Sequence, residues 1–396
     1  MALERAGYDV EVLGGWFNPA LKARDQELMA KFKFRFRPLH DLTEQPALRL
    51  WLRIRGRLAN LIHAKTGCEN RWQLGYFVSS LQRAVRHRTA DLFIAHSEQA
   101  LFPLFQLSTF SIQQFRVGVD MEDWFSEDLL PEARKQRPVK LLRSLEAKLL
   151  RDGVYTTCPS RAMSEALAKE YGCRPPIVIY NAFPWADRAT LDGKIKDRGD
   201  RTVPSLHWYS QTLGQGRGLE ELFAALPHVR HPLEIHLRGH PVSGFQGWLQ
   251  ERLPENWRSC VFVHNLVSND ELLSRIAEHD IGFAGEQKYA LNKELTISNK
   301  ILHYLLAGLA VVASDTAGQR EVAEQADGAV RLYPSGDVGA LAARLNEWLE
   351  NPGSLAAAKA AALRAAENTF CWEHQVPALF QSVKNALAQY KEPCPS

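Results

Sequence analysis

The chain has 396 residues, and its 48 Lys and Arg and 45 Asp and Glu give a formal net charge of +3 at pH 7. A hydrophobic content of 45% and a charged content of 23% are typical of globular proteins and exclude a disordered or fibrous chain. No apolar run is long enough to span a membrane, the first residues lack a signal-peptide core, and the six scattered cysteines form no CxxC pair. We therefore expect two domains in a reducing cytoplasm, without a disulfide framework, a metal site or a cofactor.

The positive charge is concentrated in one region of the chain. Residues 31–90 contain thirteen Lys and Arg against three Asp and Glu, so the rest of the chain is net negative. Such a block indicates an anionic partner, which could be a membrane surface, an acidic substrate or nucleic acid. Nucleic acid explains the charge less well, because no known binding module accompanies it.

In the first part of the chain, short apolar strands alternate with helical segments. We predict strands at residues 8–13, 32–36, 91–96, 115–119, 154–157 and 177–180. We predict helices at residues 47–63, 75–88, from 97 onward, 138–150 and 161–171. Residues 187–202 are polar, charged and without periodicity, which predicts a linker.

Beyond the linker the alternation starts again. We predict strands at residues 206–209, 233–237, 260–263, 280–283, 310–313 and 329–332, with helices between them and a final helix at 373–390. Two such blocks predict an α/β protein with two doubly wound parallel-sheet domains facing across a cleft. The predicted parts are a first domain at 1–186, the linker, a second domain at 203–370, and a last helix at 371–396 that crosses back to the first domain.

The segment 292–319 carries the strongest local pattern. It predicts a loop, a helix with Ser298 as its cap, an end at Gly308, a buried strand, and a turn that contains Gly318. Lys300 and His303 are three residues apart, so they share one helix face near its amino end, where a phosphate could bind. The alternative is an ordinary α/β unit with a solvated lysine and a packing histidine.

A second candidate for phosphate binding is the glycine-rich stretch 214–218. Glycines such as Gly216 and Gly218 let the backbone approach a phosphate, and Arg217 can hold a diphosphate with two hydrogen bonds. The alternative is a plain glycine turn with a solvated arginine. A dinucleotide fingerprint is rejected, because the spacing is not GxGxxG and Glu234 lies within a predicted strand.

These patterns together resemble the GT-B glycosyltransferases, specifically the retaining "group 1" (family 4) enzymes. The segment Ser298-Asn299-Lys300, followed by a helix, a glycine and a buried strand, is a recognisable variant of the family's pattern. In the first domain the likeness is carried by Glu146, Ser160 and Asn181, and it spans nearly the whole chain.

The resemblance implies a nucleotide-sugar donor site in the second domain. In the family, a basic residue before the last glycine of the loop contacts the donor diphosphate, and Arg217 matches it. A second basic residue is common six positions earlier, where this chain has Gln211, and Lys300 would supply the missing charge. Arg238, at a predicted strand exit, would line the nucleotide pocket or else lie in a surface turn. The donor-binding residues implied are Gly216, Arg217, Gly218, Arg238, Ser298, Asn299, Lys300 and Gly318.

The carboxylates that the family usually carries are displaced in this chain. Their two positions hold Leu295 and His303, with Glu294 one residue before the first and Glu286 further upstream. Asp120, in an acidic turn after a strand of the first domain, could hold sugar hydroxyls, act as a base, or only cap a helix. The catalytic residues implied are Asp120, Glu294 and His303.

The resemblance implies an enzyme that moves a sugar, with retention, from a nucleoside diphosphate to a lipid-linked or saccharide acceptor in polysaccharide or glycolipid synthesis. Two alternatives remain: a GT-B-like protein that binds a nucleotide sugar or a partner without transfer, and an epimerase of similar fold. Only a remnant of the family's first helix precedes residue 8, so we expect that the first strand is missing. Either the true start lies upstream, which is our hypothesis, or the first sheet lacks an edge element and activity is compromised.

The basic region contains a helix with two stripes. Arg49, Arg53 and Arg57 form a basic stripe at four-residue spacing, and beside it lies an apolar stripe formed by Leu50, Ile54, Leu58 and Leu61, with Trp51 between them. This pattern is typical of a helix that lies on an anionic membrane, which predicts a cytoplasmic protein attached to the inner face. The alternative is that the apolar stripe packs on the sheet while the arginines are solvated.

Overall fold

A computed structural model of the chain describes residues 2–110, 115–198 and 202–389, and the structural statements below concern these residues. The chain divides into two compact units. The first comprises Met1–Cys158, Ser164–Val178 and Val376–Ser396, and the second comprises Pro159–Met163 and Ile179–Gln375. No helix in the described ranges is long and apolar enough to cross a membrane.

The elements up to residue 178 alternate between helices and strands, with short 3-10 turns at Arg71–Gln73 and Phe125–Glu127. In chain order they are α1 (Ala2–Arg5), β1 (Glu11–Trp16), α2 (Pro19–Ala30), β2 (Arg35–Asp41), α3 (Pro46–Thr66), α4 (Val78–Arg86), β3 (Phe93–Ala95), α5 (Glu98–Phe110), β4 (Val117–Asp120), α6 (Pro131–Arg134), α7 (Val139–Asp152), β5 (Tyr155–Cys158), α8 (Arg161–Tyr171) and β6 (Ile177–Val178).

The elements from residue 185 onward begin with a 3-10 turn at Trp185–Thr190, and two more turns lie at Leu226–His228 and Glu255–Cys260. The others are β7 (Ser205–Leu213), α9 (Leu219–Ala225), β8 (Glu234–Pro241), α10 (Phe245–Arg252), β9 (Val261–His264), α11 (Asn269–Ile276), β10 (Ile281–Ala284), α12 (Leu291–Leu295), α13 (Asn299–Ala307), β11 (Ala310–Ser314), α14 (Ala317–Ala323), β12 (Val330–Tyr333), α15 (Val338–Leu349), α16 (Pro352–Asn368) and α17 (Trp372–Ala388).

The described part of the first unit contains two parallel sheets. Strands β3, β4, β5 and β6 pair side by side in that order, while β1 and β2 pair with each other in a separate sheet. The pairing of Glu11 with Arg35 sets the register of β1 and β2, and both strands begin three residues after the predicted starts. Helix α2 was not predicted, and none of its residues is buried.

The second unit is built on one six-stranded parallel sheet, with the strand order β12-β11-β10-β7-β8-β9. In β11, Ala310 and Val312 pack into one apolar cluster, with α9, α10 and α15, while Val311 and Ala313 pack into another, with α11, α13 and α16. Because successive side chains of a strand point to opposite faces, these two clusters cover both faces of the sheet. The sheet is therefore doubly wound, as the alternating pattern predicted.

The segment predicted as a linker, 187–202, is packed against the second unit as far as residue 198. Asp192 accepts hydrogen bonds from the Arg275 guanidinium at 2.7 Å. Arg198 is buried, and its guanidinium donates to Asp280 at 3.0 Å. Most residues of the segment are exposed, as its polar composition indicates, but these ion pairs fix it to the second unit.

Candidate functional site

The centre of the six-stranded sheet contains a topological switch point. Strands β7 and β10 are neighbours, yet the chain continues from β7 to β8 on one side and from β10 to β11 on the other. In doubly wound sheets, ligands bind in the crevice that opens outside the carboxyl ends of the strands at such a point. The candidate site is therefore defined by the loops that follow Leu213 and Ala284.

The glycine-rich stretch leaves β7 at this crevice. Gly218 has a backbone φ of 84°, and a Cβ atom there would overlap the carbonyl oxygen of Gly285, which follows β10. Only glycine therefore allows the loop to lie against the end of β10. The exposed Arg217 is held by a hydrogen bond of 3.0 Å from its Nη1 to the Ser210 hydroxyl. The neighbouring Gly216 amide donates to Glu220 Oε1 at 2.7 Å.

Glu286, just after β10, organises the other side of the crevice. Its Oε1 accepts hydrogen bonds from the Ser298 hydroxyl at 2.8 Å and from Lys300 Nζ at 2.9 Å. Burial raises the pKa of Glu286, but the Lys300 charge and these hydrogen bonds outweigh it and leave the pKa below its ordinary value. Glu286 is therefore an anion at neutral pH, and Lys300 lies beside it with two further N–H groups available for a ligand.

Helix α13 begins beside Glu286. Ser298 is its N-cap residue, as predicted, but its side chain accepts no capping hydrogen bond, and its hydroxyl donates to Glu286. The exposed Asn299 is the first helical residue, and Gly308 ends the helix. The backbone amides of the first turn therefore have no side-chain cap, which makes this helix end suited to an anion.

His303 lies on α13 one turn beyond the helix start, and its environment is aromatic. Its ring stacks on Phe183, with centroids 3.4 Å apart and an angle of 11° between the rings. Its Nδ1 shares a hydrogen bond of 2.6 Å with the Tyr209 hydroxyl. Burial lowers the pKa of His303 to about 3, so the imidazole is neutral at neutral pH. It can act as a hydrogen-bond donor or acceptor but carries no countercharge for a diphosphate.

Glu294 and Gly318 join α12 to the start of α14. Glu294 Oε1 accepts a hydrogen bond of 3.2 Å from the Ala317 amide, and its Oε2 lies 3.3 Å from Lys288 Nζ. A Cβ atom at Gly318 would overlap the carbonyl oxygen of Thr296, so this glycine permits close backbone packing. The turn predicted around residues 315–318 is wrong in part, because α14 begins at Ala317.

Arg238 does not lie at a strand exit, and that placement was wrong. Strand β8 continues to Pro241, and the Arg238 side chain is only 3% exposed. Its guanidinium forms an ion pair with Asp197 and donates to the Asn265 carbonyl oxygen at 2.5 Å. The contacts that it makes are therefore internal to the second unit.

Asp120 belongs to the first unit, at the carboxyl end of β4. It accepts a hydrogen bond of 2.8 Å from Thr157 Oγ1, and its Oδ2 lies 3.1 Å from His96 Nδ1. Ser97, next to His96, has a φ of 67°, a left-handed conformation that is uncommon for a residue other than glycine. Sequence reasoning missed His96 and Thr157, although both lie at predicted strand ends and so at the same edge of a parallel sheet.

The structure thus brings Ser298 and Lys300 together around Glu286, with the exposed Asn299 between them in the chain, and places the glycine-rich loop at the same switch point. Glu286 was noticed in the sequence only as a carboxylate upstream of the displaced family positions. Among residues 2–110, 115–198 and 202–389, no group of three or more His, Cys, Asp or Glu side chains is placed to hold a metal ion.

Comparison with known proteins agrees with this arrangement. Residues 208–351 match the family model described as "Glycosyl transferases group 1", a range that includes the glycine-rich loop, Glu286, Lys300 and His303. No protein with a curated description matches the chain.

Solved structures share the fold at low sequence identity. Sucrose-phosphate synthase of Thermosynechococcus elongatus is 14% identical with a TM-score of 0.69, over 98% of this chain and 91% of that one. HepE of Anabaena in complex with UDP is 17% identical with a TM-score of 0.67, over 95% of this chain and 100% of that one. A glycosyltransferase of Rickettsia africae is 13% identical with a TM-score of 0.65, over 98% and 93%.

The fold and the family match define the class of protein. The chain has the GT-B fold with two Rossmann-like units, and it is a glycosyltransferase whose residues 208–351 are similar to the group 1 enzymes. The fold class, the family resemblance and the enzyme class predicted from the sequence are confirmed.

Proposed function

We propose that this glycosyltransferase takes its sugar from a nucleoside diphosphate bound at the switch point of the second unit. The observation that carries the proposal is the pairing of two features there: the glycine-rich loop with Arg217, and the uncapped start of α13 with Lys300. Backbone amides and two cations suit a diphosphate, which gains negative charge as the bond to the sugar breaks. Gly216, Gly218, Ser298, Asn299 and Gly318 would shape the backbone around it.

The Glu286 carboxylate would serve the sugar rather than the phosphates. It lies beside Lys300, so a ligand with phosphate on one side and hydroxyl groups on the other would satisfy both charges. The neutral His303 would offer a hydrogen bond, and Glu294 would hold the backbone that carries the site. Arg238 would stabilise the unit from within. In the first unit, Asp120 would accept a hydrogen bond from the acceptor. As in the resembling family, we propose transfer with retention and without a bound metal.

The donor can be identified by one experiment. Release of nucleoside diphosphate should be measured across UDP-, GDP- and ADP-sugars, with and without saccharide and lipid-linked acceptors. A structure of HepE of Anabaena contains UDP-glucose; it is 17% identical to this chain with a TM-score of 0.65, over 94% of this chain and 91% of that one. UDP-glucose is therefore the first donor to test. Release that requires an acceptor supports transfer. If no donor binds or is consumed with any acceptor, the proposal fails.

We further propose that the first unit attaches to an anionic membrane surface, where a lipid-linked acceptor would be found and polysaccharide or glycolipid would be made. The apolar stripe of α3 does not pack on the protein: Leu50, Ile54, Leu58 and Leu61 are 58%, 46%, 53% and 51% exposed. The buried residues of α3 are instead Leu52 and Ala59.

The basic stripe of α3, Arg49, Arg53 and Arg57, is also exposed. Basic side chains next to exposed apolar ones are the arrangement by which a helix binds lipid headgroups and inserts into the acyl boundary. Trp51 is 55% exposed and, with the Arg55 guanidinium 4.9 Å from its ring centre, adds an amphipathic aromatic group of the kind found at membrane interfaces. These features support attachment to an anionic membrane surface, which for a cytoplasmic protein would be the inner face of the membrane.

A further inference from the structure

The first unit contains a basic cavity that the donor site does not use. It has a volume of about 460 Å³ and is formed by α4, α5 and the turn at Arg71–Gln73. Its charged lining consists of Arg71, Arg83, Arg86 and His87, and no carboxylate lines it. Four groups that are or can become cationic around one cavity favour a ligand with more than one negative charge.

Neutral side chains hold two of the three arginines of this cavity in place. The buried Gln82 accepts a hydrogen bond of 3.0 Å from Arg71 Nη1 and donates to Gln106, which also accepts a hydrogen bond of 3.3 Å from Arg86 Nη2. Within the described ranges, neither these two arginines nor Arg83 forms an ion pair with a carboxylate. Hydrogen bonds to neutral groups therefore hold the charges of Arg71 and Arg86 without neutralising them, and the exposed Arg83 adds a third charge, an arrangement that suits a phosphate ligand.

The cavity borders the exposed side of α3. Its lining residue Ser79 accepts a hydrogen bond of 3.4 Å from Arg55 Nη1, and Arg55 lies 4.9 Å from the ring centre of Trp51 and 5.8 Å from that of Trp72. Trp51 and Trp72 are both exposed. A ligand in the cavity would thus have guanidinium groups on one side and the aromatic and apolar surface of α3 next to it.

We infer that this cavity binds the phosphate or diphosphate group of the acceptor, which rests on the proposed function of the chain as a glycosyltransferase with a lipid-linked acceptor. Guanidinium groups bind phosphate oxygens in pairs of hydrogen bonds, and His87 and Ser79 add donors. The chemistry recognised is a phosphate anion, and the neighbouring apolar surface favours one that carries a hydrocarbon chain.

The inference is tested by calorimetry on the full chain with inorganic pyrophosphate and geranyl diphosphate, each in the presence of saturating UDP so that the donor site is filled. The variant is Arg83→Gln with Arg86→Gln, since both side chains are exposed. The control is Arg24→Gln, an exposed arginine on α2. Each lost charge-assisted contact should weaken binding about tenfold or more.

Geranyl diphosphate binding at least tenfold more tightly than pyrophosphate, with both weakened in the double variant, assigns the cavity to a lipid-linked phosphate. Equal binding of the two, weakened in the same way, assigns it to a free phosphate or a phosphorylated saccharide. Binding by the double variant that equals that of Arg24→Gln overturns the inference. Titration with UDP separates the two proposals. If UDP binds but the binding of pyrophosphate and geranyl diphosphate does not depend on Arg83 and Arg86, only the cavity is refuted, whereas absence of nucleotide and sugar-nucleotide binding refutes the donor site.

Discussion

Buried neutral histidines should make the second unit sensitive to mild acid. His207, His236 and His279 are 0%, 1% and 1% exposed, and His303 is half-buried against Phe183. Burial lowers the pKa of His236 and of His303 to about 3, and it places the pKa of His207 and His279 well below the ordinary value. The first three contact one another, with His279 centred 4.7 Å from His207 and 4.5 Å from His236.

The direction in which stability changes with pH depends on whether the folded or the unfolded chain takes up protons. An unfolded histidine has a pKa of about 6.5, so the unfolded chain binds protons as the pH falls below that value while the folded chain does not. The stability due to the neutral histidines is thus fully present well above pH 6.5 and is lost as the pH falls toward about 3. From pH 7.5 to 5.5 each histidine costs on the order of 1 kcal/mol, so the four together cost a few kcal/mol. This is comparable with the whole stability of an ordinary domain.

Hydrogen exchange of peptides from β7 and β8, measured between pH 5.5 and 7.5 and corrected for the intrinsic exchange rate, reports the local unfolding free energy. We expect it to fall steeply with acid in the wild type. His207→Gln should reduce the slope by about one proton, and His228→Gln, which changes an exposed histidine, should leave it unchanged. A wild-type stability that does not vary over this range would refute the reasoning, as would a His207→Gln slope equal to that of the wild type.

Three further outcomes are expected. Arg217→Gln and Lys300→Gln should each weaken donor binding by roughly 1.5–3 kcal/mol in calorimetry, because each removes a charge-assisted hydrogen bond. The control Arg252→Gln, on the exposed face of α10, should leave donor binding unchanged. Donor affinities equal to that of Arg252→Gln would remove both residues from the site. Gly218→Ala should lower the thermal midpoint and weaken donor binding more than Gly216→Ala does. The reason is that a Cβ atom at Gly218 overlaps a backbone carbonyl, while one at Gly216 meets open space. Equal effects of the two substitutions would mean that the loop does not need this close contact. Changing all three arginines of the basic stripe to glutamine should weaken sedimentation with anionic vesicles by about two orders of magnitude at low salt, at about 1 kcal/mol for each residue, and binding that ignores lipid charge would contradict membrane attachment.

The strands of the second unit were predictable because each contains a short run rich in apolar residues. The predicted strand at 310–313 corresponds to β11, whose five residues are all buried. Helix α2 was missed for the opposite reason. Asn18 and Pro19 supply a good helix start, and Asn18 accepts a hydrogen bond from the Ala20 amide, but no buried stripe follows to give the segment a helical period.

The contacts of the site could be predicted only in part. Lys300 was recognised from its place near a helix start, which is a local feature. Its pairing with Glu286 joins residues 14 positions apart, across a segment that contains only the short helix α12 and has no periodic pattern. The stacking of His303 on Phe183 joins residues 120 positions apart. Arg238 was misplaced because β8 continues beyond its apolar run as far as Pro241. Sequence spacing cannot supply such long-range contacts.

The exposed apolar stripe of α3 also affects how the purified protein will behave. Without lipid, the four exposed aliphatic side chains of the stripe can be buried by packing against the same stripe of a second copy of the chain. Association that grows with concentration and disappears in mild detergent is the expected behaviour. An oligomer seen in detergent-free buffer would then reflect self-association through this apolar stripe. Light scattering with and without detergent should therefore precede any assignment of a native assembly.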